Sequence, residues 1–167
     1  MSGNRTQPVD EGDERRILLV EDSPEEAELF CQALTIAWDT VASQHGLSRP
    51  TVTLRRQAAD AAEFRTTRSM TESSLLPTLI VLDFDLPGET SLPFLKRLRG
   101  DLHLNRVPVV VMGWSEDDRL AHPLPALGVA DYLVKPLRFA ELIELANGLC
   151  WKFLLPTACP RLRQERP

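Results

Sequence analysis

Leu79-Ile80-Val81-Leu82-Asp83-Phe84-Asp85-Leu86-Pro87-Gly88 is the stretch on which the reading of the fold turns. Four apolar residues run without a break into an acid, and a Pro-Gly turn follows. A short apolar run bounded by a turn reads as a strand covered on both faces, at the centre of a parallel sheet. Asp83 then stands at the strand's carboxyl end, the edge where open α/β sheets bind ligands. On this segment alone, a carboxylate that merely caps a turn is an equal reading.

Working outward, Ile17-Leu18-Leu19-Val20 is a second apolar strand, and it ends in Glu21-Asp22. Ser23 suits an N-cap, Pro24 the first helical position and Glu26 the capping-box site. The helix they open carries Ala27, Phe30, Cys31, Leu34 and Trp38 on one face. Thr51 to Arg55 alternates and is β-branched, which suggests a strand nearer the sheet edge. Ala58 to Phe64 reads as a short helix, and Arg65 to Pro77 as a polar loop. Ser91 to Arg99 is amphipathic, with Leu92, Leu95 and Leu98 inward and Lys96, Arg97 and Arg99 on a solvated face. Val107 to Met112 is a further buried strand, followed by Gly113-Trp114-Ser115. Pro123 and Pro125 remove backbone donors and keep the next helix short or broken. Val129 to Val134 is the fifth strand, ending at Lys135-Pro136. The last helix presents Phe139, Leu142, Ile143, Ala146, Leu149, Cys150 and Phe153 at helical spacing.

Five strands alternating with helical segments predict a (βα)5 doubly wound α/β domain with a five-stranded parallel sheet. Residues 15–155 form that domain, residues 1–14 a disordered N-terminal tail and residues 156–167 an irregular C-terminal tail. The 167 residues, 43% of them hydrophobic, suffice for one buried core. A net charge of −5 argues against a general binder of nucleic acid or acidic membranes. No stretch has the length and apolarity of a membrane span or a signal peptide, so a cytoplasmic protein is expected. Three cysteines without metal-type spacing fit a reduced compartment, and the three scattered histidines suggest no chemistry.

Glu21-Asp22, Asp83 and Lys135 all fall at strand ends. If those strands are neighbours, three carboxylates and one ammonium meet in one crevice. Carboxylates so close raise one another's pKa unless a cation intervenes. A hard divalent ion such as Mg²⁺ would relieve the repulsion and leave the site poised for a phosphoryl group.

At this point the sequence resembles the receiver domain of two-component response regulators, a family with the flavodoxin-like fold. The resemblance lies in ILLVEDS at 17–23, LIVLDFDLPG at 79–88, VPVVVM at 107–112 and DYLVKP at 131–136. The Asp83 to Lys135 spacing matches, whereas the interval between the acid pair and Asp83 is longer than usual. The long loops around the second strand and the ending Trp151-Lys152-Phe153-Leu154-Leu155-Pro156 look most like the single-domain regulators associated with phytochrome histidine kinases.

The resemblance implies a non-enzymatic protein in which Asp83 accepts phosphate from a kinase phosphohistidine. It implies Mg²⁺ held by the Asp22 and Asp83 carboxylates, by Glu21 through water and by the Asp85 backbone carbonyl. Lys135 would neutralise phosphoryl charge, with a cis bond to Pro136 fixing its aim, and Tyr132 would be the aromatic that changes rotamer on activation. It further implies a histidine kinase partner, of the phytochrome type, and output through protein contacts. A homodimer through the C-terminal helix region is one reading of Trp151 and Phe153; cover for the domain's own core is the other.

Two departures stand out. Gly113 replaces the family's Ser or Thr hydroxyl, which should weaken coupling between phosphate and Tyr132, and Ser115 would substitute only if the strand extended to it. Trp114, usually a small residue, either narrows the mouth of the site or forms a lid. Pro123 and Pro125 interrupt the surface the family uses for output. A degenerate receiver that binds partners without a phosphorylation switch is therefore the alternative. A remoter one is a haloacid-dehalogenase-type phosphatase, whose DxD core Asp83-Phe84-Asp85 resembles.

Overall fold

The computed structural model describes residues 14–42, 47–57, 76–86, 91–115 and 124–155. The expected tails, the helix at 58–64, the loop around 65–75, the Pro87-Gly88 turn and Pro123 lie outside them, apart from Glu14. Strand β1 is Arg16–Val20, helix α1 Pro24–Ala42, β2 Thr51–Arg55, β3 Leu79–Asp83, α2 Ser91–Gly100 and β4 Val109–Gly113. A 3-10 turn at Pro125–Leu127 precedes β5, Asp131–Val134; α3 is Phe139–Leu149 and continues into a π-helical turn, Cys150–Leu154.

The five strands form one parallel sheet in the order β2-β1-β3-β4-β5. β3 and β4 are buried at every position, as uninterrupted apolar runs covered on both faces must be. β2 sits at one edge and β5 at the other, and both are only half-buried along most of their length. Alternate strand residues feed two cores. Ile17, Leu19, Val81 and Met112 pack with α1 and α3, while Leu18, Leu82 and Val111 pack with Phe94, Leu95 and Leu98 of α2.

β4 and β5 each begin two residues later than the apolar pattern predicts. Pro108 has no N–H to give, although its carbonyl still accepts from the Ile80 amide at 3.0 Å. Val129 N–H is spent on the Leu124 carbonyl at 3.2 Å, closing the 3-10 turn instead of extending β5.

Arg99 is half-buried and does not lie on the solvated face that its helical period predicts. Its guanidinium donates to the carbonyls of Leu127, Asn105, Val107 and Gly128 at 3.1, 2.8, 3.1 and 2.7 Å. One fork thus ties the end of α2 to the loops that enter β4 and β5. Gly128 is required beside it, since its φ is +71° and a Cβ there would stand 2.9 Å from Arg99 Nε. Arg99→Lys, with a single ammonium, cannot span these acceptors. It should destabilise the fold by roughly 2 kcal/mol, read from urea unfolding, because most of the carbonyls lose their donor.

The C-terminal turn is held from the other side. Arg15, buried, donates from Nε to the Leu154 carbonyl at 2.6 Å and lies 5.5 Å over the Trp38 ring. Cys150 and Leu154 are buried, and Trp151 and Phe153 pack against the same core. The aromatic ending therefore covers the domain's own interior.

Candidate functional site

Register brings the expected residues together. Val20 pairs with Leu82, Asp83 with Met112 and Gly113 with Val134, so the residues that follow β1 and β5 reach the level of Asp83 at one sheet edge. Lys135 Nζ lies 2.9 Å from Glu21 Oε2 and 2.8 Å from Asp83 Oδ1. Glu21, Asp22 and Asp83 each offer a carboxylate oxygen, all within 4.8 Å of one another. Lys135, Glu21 and Asp83 are buried, whereas Asp22 is half-buried and Asp85 exposed.

A fourth carboxylate was not foreseen. Ser23 caps α1 as expected, accepting from the Glu26 amide at 3.2 Å. The reciprocal half of the capping box is missing, because the Ser23 N–H donates to Glu21 Oε1 at 3.1 Å. Glu26 instead extends its carboxylate to Lys135 Nζ, 2.5 Å away. Sequence spacing cannot distinguish these fates, since both begin with an acid at the third helical position. The expected cis bond is likewise corrected. No cis peptide occurs among the described residues, and Lys135-Pro136 is trans. With three carboxylates gripping its ammonium, Lys135 is aimed without one.

Charge is unbalanced in this crevice. Burial pushes the Glu21 and Asp83 carboxyls above the usual range, against the pull of Lys135. Burial would lower the Lys135 ammonium, but contacts with Asp83, Glu26 and Glu21 reverse this and hold it protonated. Asp83 Oδ1 is buried and has no hydrogen-bond partner among the described residues, because Lys135 meets it as an ion pair without hydrogen-bond alignment. A buried anionic oxygen that shares one ammonium with two other carboxylates, and has Asp22 beside it, belongs to a donor set suited to a hard divalent cation.

Gly113 follows Met112, the β4 partner of Asp83. β4 ends at Gly113, so Ser115 does not continue the strand; its carbonyl accepts a hydrogen bond from the Tyr132 hydroxyl at 2.7 Å. The Tyr132 ring meets Phe84 edge-on at 6.3 Å. Trp114 is half exposed, with Lys135 Nζ 5.5 Å from its ring, and together with Leu29, Phe30, Pro136 and Leu142 it lines a pocket beside Asp83.

The family described as "Response regulator receiver domain" matches residues 17–147. The chain belongs to the response regulator receiver family. The receiver fold is accordingly the flavodoxin-like (βα)5 arrangement that the sequence predicts, and the phosphatase resemblance of Asp83-Phe84-Asp85 gives way to it. Response regulator Rcp1 of Synechocystis is 31% identical over 138 residues, 80% of this chain and 84% of that protein. The crystal structure of its Mn²⁺-bound form superposes with a TM-score of 0.68 at 27% identity, covering 87% of this chain and 99% of that one. The phosphorylated cyanobacterial phytochrome response regulator RcpA shares the fold, with a TM-score of 0.70 at 24% identity over 84% of this chain and 94% of that one. The match to the two-component response regulator-like APRR1 of Arabidopsis thaliana, 37% identical over 67 residues, takes in 40% of this chain and only 11% of that protein. No helix among the described residues is long and apolar enough to cross a membrane.

Proposed function

We propose that this receiver accepts a phosphoryl group on Asp83 from the phosphohistidine of a histidine kinase and signals through protein contacts. The single observation that carries the reading is Asp83 Oδ1, buried without a hydrogen-bond partner 2.8 Å from Lys135 Nζ and grouped with Glu21 and Asp22. Asp83 is the nucleophile, forming an acyl phosphate. Lys135 meets a phosphoryl oxygen, which requires it to loosen its hold on Glu21 or Glu26. Asp22 and Asp83 would hold Mg²⁺ by carboxylate, with Glu21 beside them and Asp85 adding its backbone carbonyl. Bound there, the ion would supply positive charge against the carboxylates and the phosphoryl group. The exposed apolar Leu29, Trp114 and Leu137 near the mouth supply contacts for the phosphodonor protein. Rcp1 and RcpA, one crystallised with Mn²⁺ and the other described as a phytochrome response regulator, support a divalent ion and a phytochrome-type kinase.

Incubation with acetyl phosphate and Mg²⁺ tests the reading. Intact mass should rise by one phosphoryl group. An unchanged mass would favour the degenerate receiver, a reading supported by the missing hydroxyl at Gly113. Self-association is a separate matter, read from the light-scattering mass of the intact chain, since removing residues from 151 onward would strip the core of Leu154.

Metal and pH should act together. Glu21 and Asp83 have folded pKa values above their unfolded ones, so the folded state holds extra protons between the two. Metal-free stability should therefore fall as pH rises from the ordinary carboxylate range through the raised values. Lys135, raised as well, keeps its contribution until alkaline pH. Mg²⁺ needs the ionised carboxylates. At about 100-fold excess over its Kd it should add about 2.7 kcal/mol near pH 8 and clearly less near pH 5, read from thermal melts.

A further inference from the structure

Gly113 has no side chain, yet the space above it is filled. A Cβ built on Gly113 would stand 2.5 Å from the Tyr132 hydroxyl oxygen and 3.3 Å from Phe84 Cβ. The first of these contacts is too short to occur, so the Tyr132 hydroxyl keeps this placement only with glycine at 113. Gly113 is the last residue of β4, one past the partner of Asp83. The phenol thus brings a hydroxyl to the ground that a side chain at 113 would occupy, next along β4 from the partner of Asp83. Burial raises the pKa of that phenol, and the negative charges of Asp85 and Asp83 add to the rise.

We propose that the Tyr132 hydroxyl is a phosphoryl-binding group of this site, reaching a peripheral phosphoryl oxygen through the volume that Gly113 leaves free. The inference rests on Asp83 as phosphoacceptor. A phosphoryl group there presents three anionic oxygens. Lys135 and a divalent ion account for two, and no residue-113 side chain exists to meet the third. Tyr132 now donates to the Ser115 carbonyl, a neutral acceptor. Turning to a phosphoryl oxygen exchanges that bond for a charge-assisted one, roughly twice as strong. With acetyl phosphate as donor, a bond forms between an Asp83 carboxylate oxygen and phosphorus while the bond from phosphorus to the acetate oxygen breaks. Acetate leaves with the electron pair. Tyr132 keeps its proton throughout and only shares it in the hydrogen bond.

The test is adduct formation with acetyl phosphate and Mg²⁺, followed by intact mass. Tyr132→Phe keeps the ring and its contact with Phe84, and should react about tenfold more slowly than wild type, the loss of one such bond at the transition state. Gly113→Ser/Tyr132→Ala, which supplies the hydroxyl from 113 with the phenol gone, should react faster than Tyr132→Ala alone. A merely structural tyrosine would not be rescued in this way. The chain has a single tyrosine, so a ¹³Cζ label gives one resonance. That resonance should move when beryllofluoride and Mg²⁺ are added to the wild type. Equal rates for wild type and Tyr132→Phe, or a resonance that beryllofluoride leaves in place, would overturn the inference while Asp83 remained the acceptor. A wild type that forms no adduct would instead remove the phosphoacceptor reading, and this inference with it.

Discussion

Asp83→Asn should form no phosphoryl adduct with acetyl phosphate, and in the absence of divalent ions it should melt at a higher temperature than the wild type. The first effect follows from chemistry, since an amide oxygen is a poor nucleophile and cannot yield an acyl phosphate. The second follows from crowding. Glu21, Glu26 and Asp83 all touch Lys135, and Asp22 adds a carboxylate nearby. Burial already holds the Asp83 carboxyl above its usual range, so its ionised form is disfavoured in the fold. Replacing it by a neutral group of the same shape removes that penalty. Mg²⁺ should then stabilise the variant much less than the wild type. Thermal melts with and without Mg²⁺, run beside the mass measurement, check both halves. A variant less stable than the wild type in chelator would show that Asp83 is a structural partner of Lys135 first.

Lys135→Met should be the most damaging single change in the site. The ammonium is buried, and among the described residues it is the cation that Glu21, Glu26 and Asp83 share. Methionine fills a similar volume but leaves two buried carboxylates without their counter-charge. Removing one partner of a buried ion pair costs about 3–5 kcal/mol. Most of the loss should be recovered near pH 5, where raised carboxyls take up protons, and part of it by Mg²⁺, which supplies the missing charge. Urea unfolding at two pH values reads the first, and titration with Mg²⁺ the second. Adduct formation should also slow, because a phosphoryl oxygen loses its cationic neighbour. A variant as stable as the wild type at neutral pH would mean that solvent already screens these carboxylates.

The parts of the fold that were legible in the sequence are those in which one physical cause dominates. β1, β3 and β4 are apolar runs whose burial on both faces leaves little room for another reading, and the acids at the ends of β1 and β3 and the lysine after β5 fall at the carboxyl edge of the sheet once strand order is known. Register then does the rest, placing Glu21, Asp83 and Lys135 side by side. What was not legible depends on side chains choosing between partners. Glu26 has the capping-box position yet reaches Lys135, 109 residues away in the chain, because the Ser23 N–H is already taken by Glu21. Arg99 has the period of an exposed position yet finds four carbonyls in loops whose course no pattern gives. The glycine at 113 was visible as a missing hydroxyl. That a tyrosine hydroxyl fills the same space could be seen only once β4 and β5 lay side by side.

An acyl phosphate is reduced by borohydride to the corresponding alcohol, which marks the acceptor permanently in the chain. The most direct measurement is therefore reduction of the acetyl-phosphate-treated protein with borohydride, followed by peptide mapping. Asp83 should be converted to homoserine, in a reaction dependent on Mg²⁺ and absent from Asp83→Asn. An unmodified residue 83, or a mark carried by Asp22, Glu21 or Asp85 in its place, would contradict Asp83 as the phosphoacceptor.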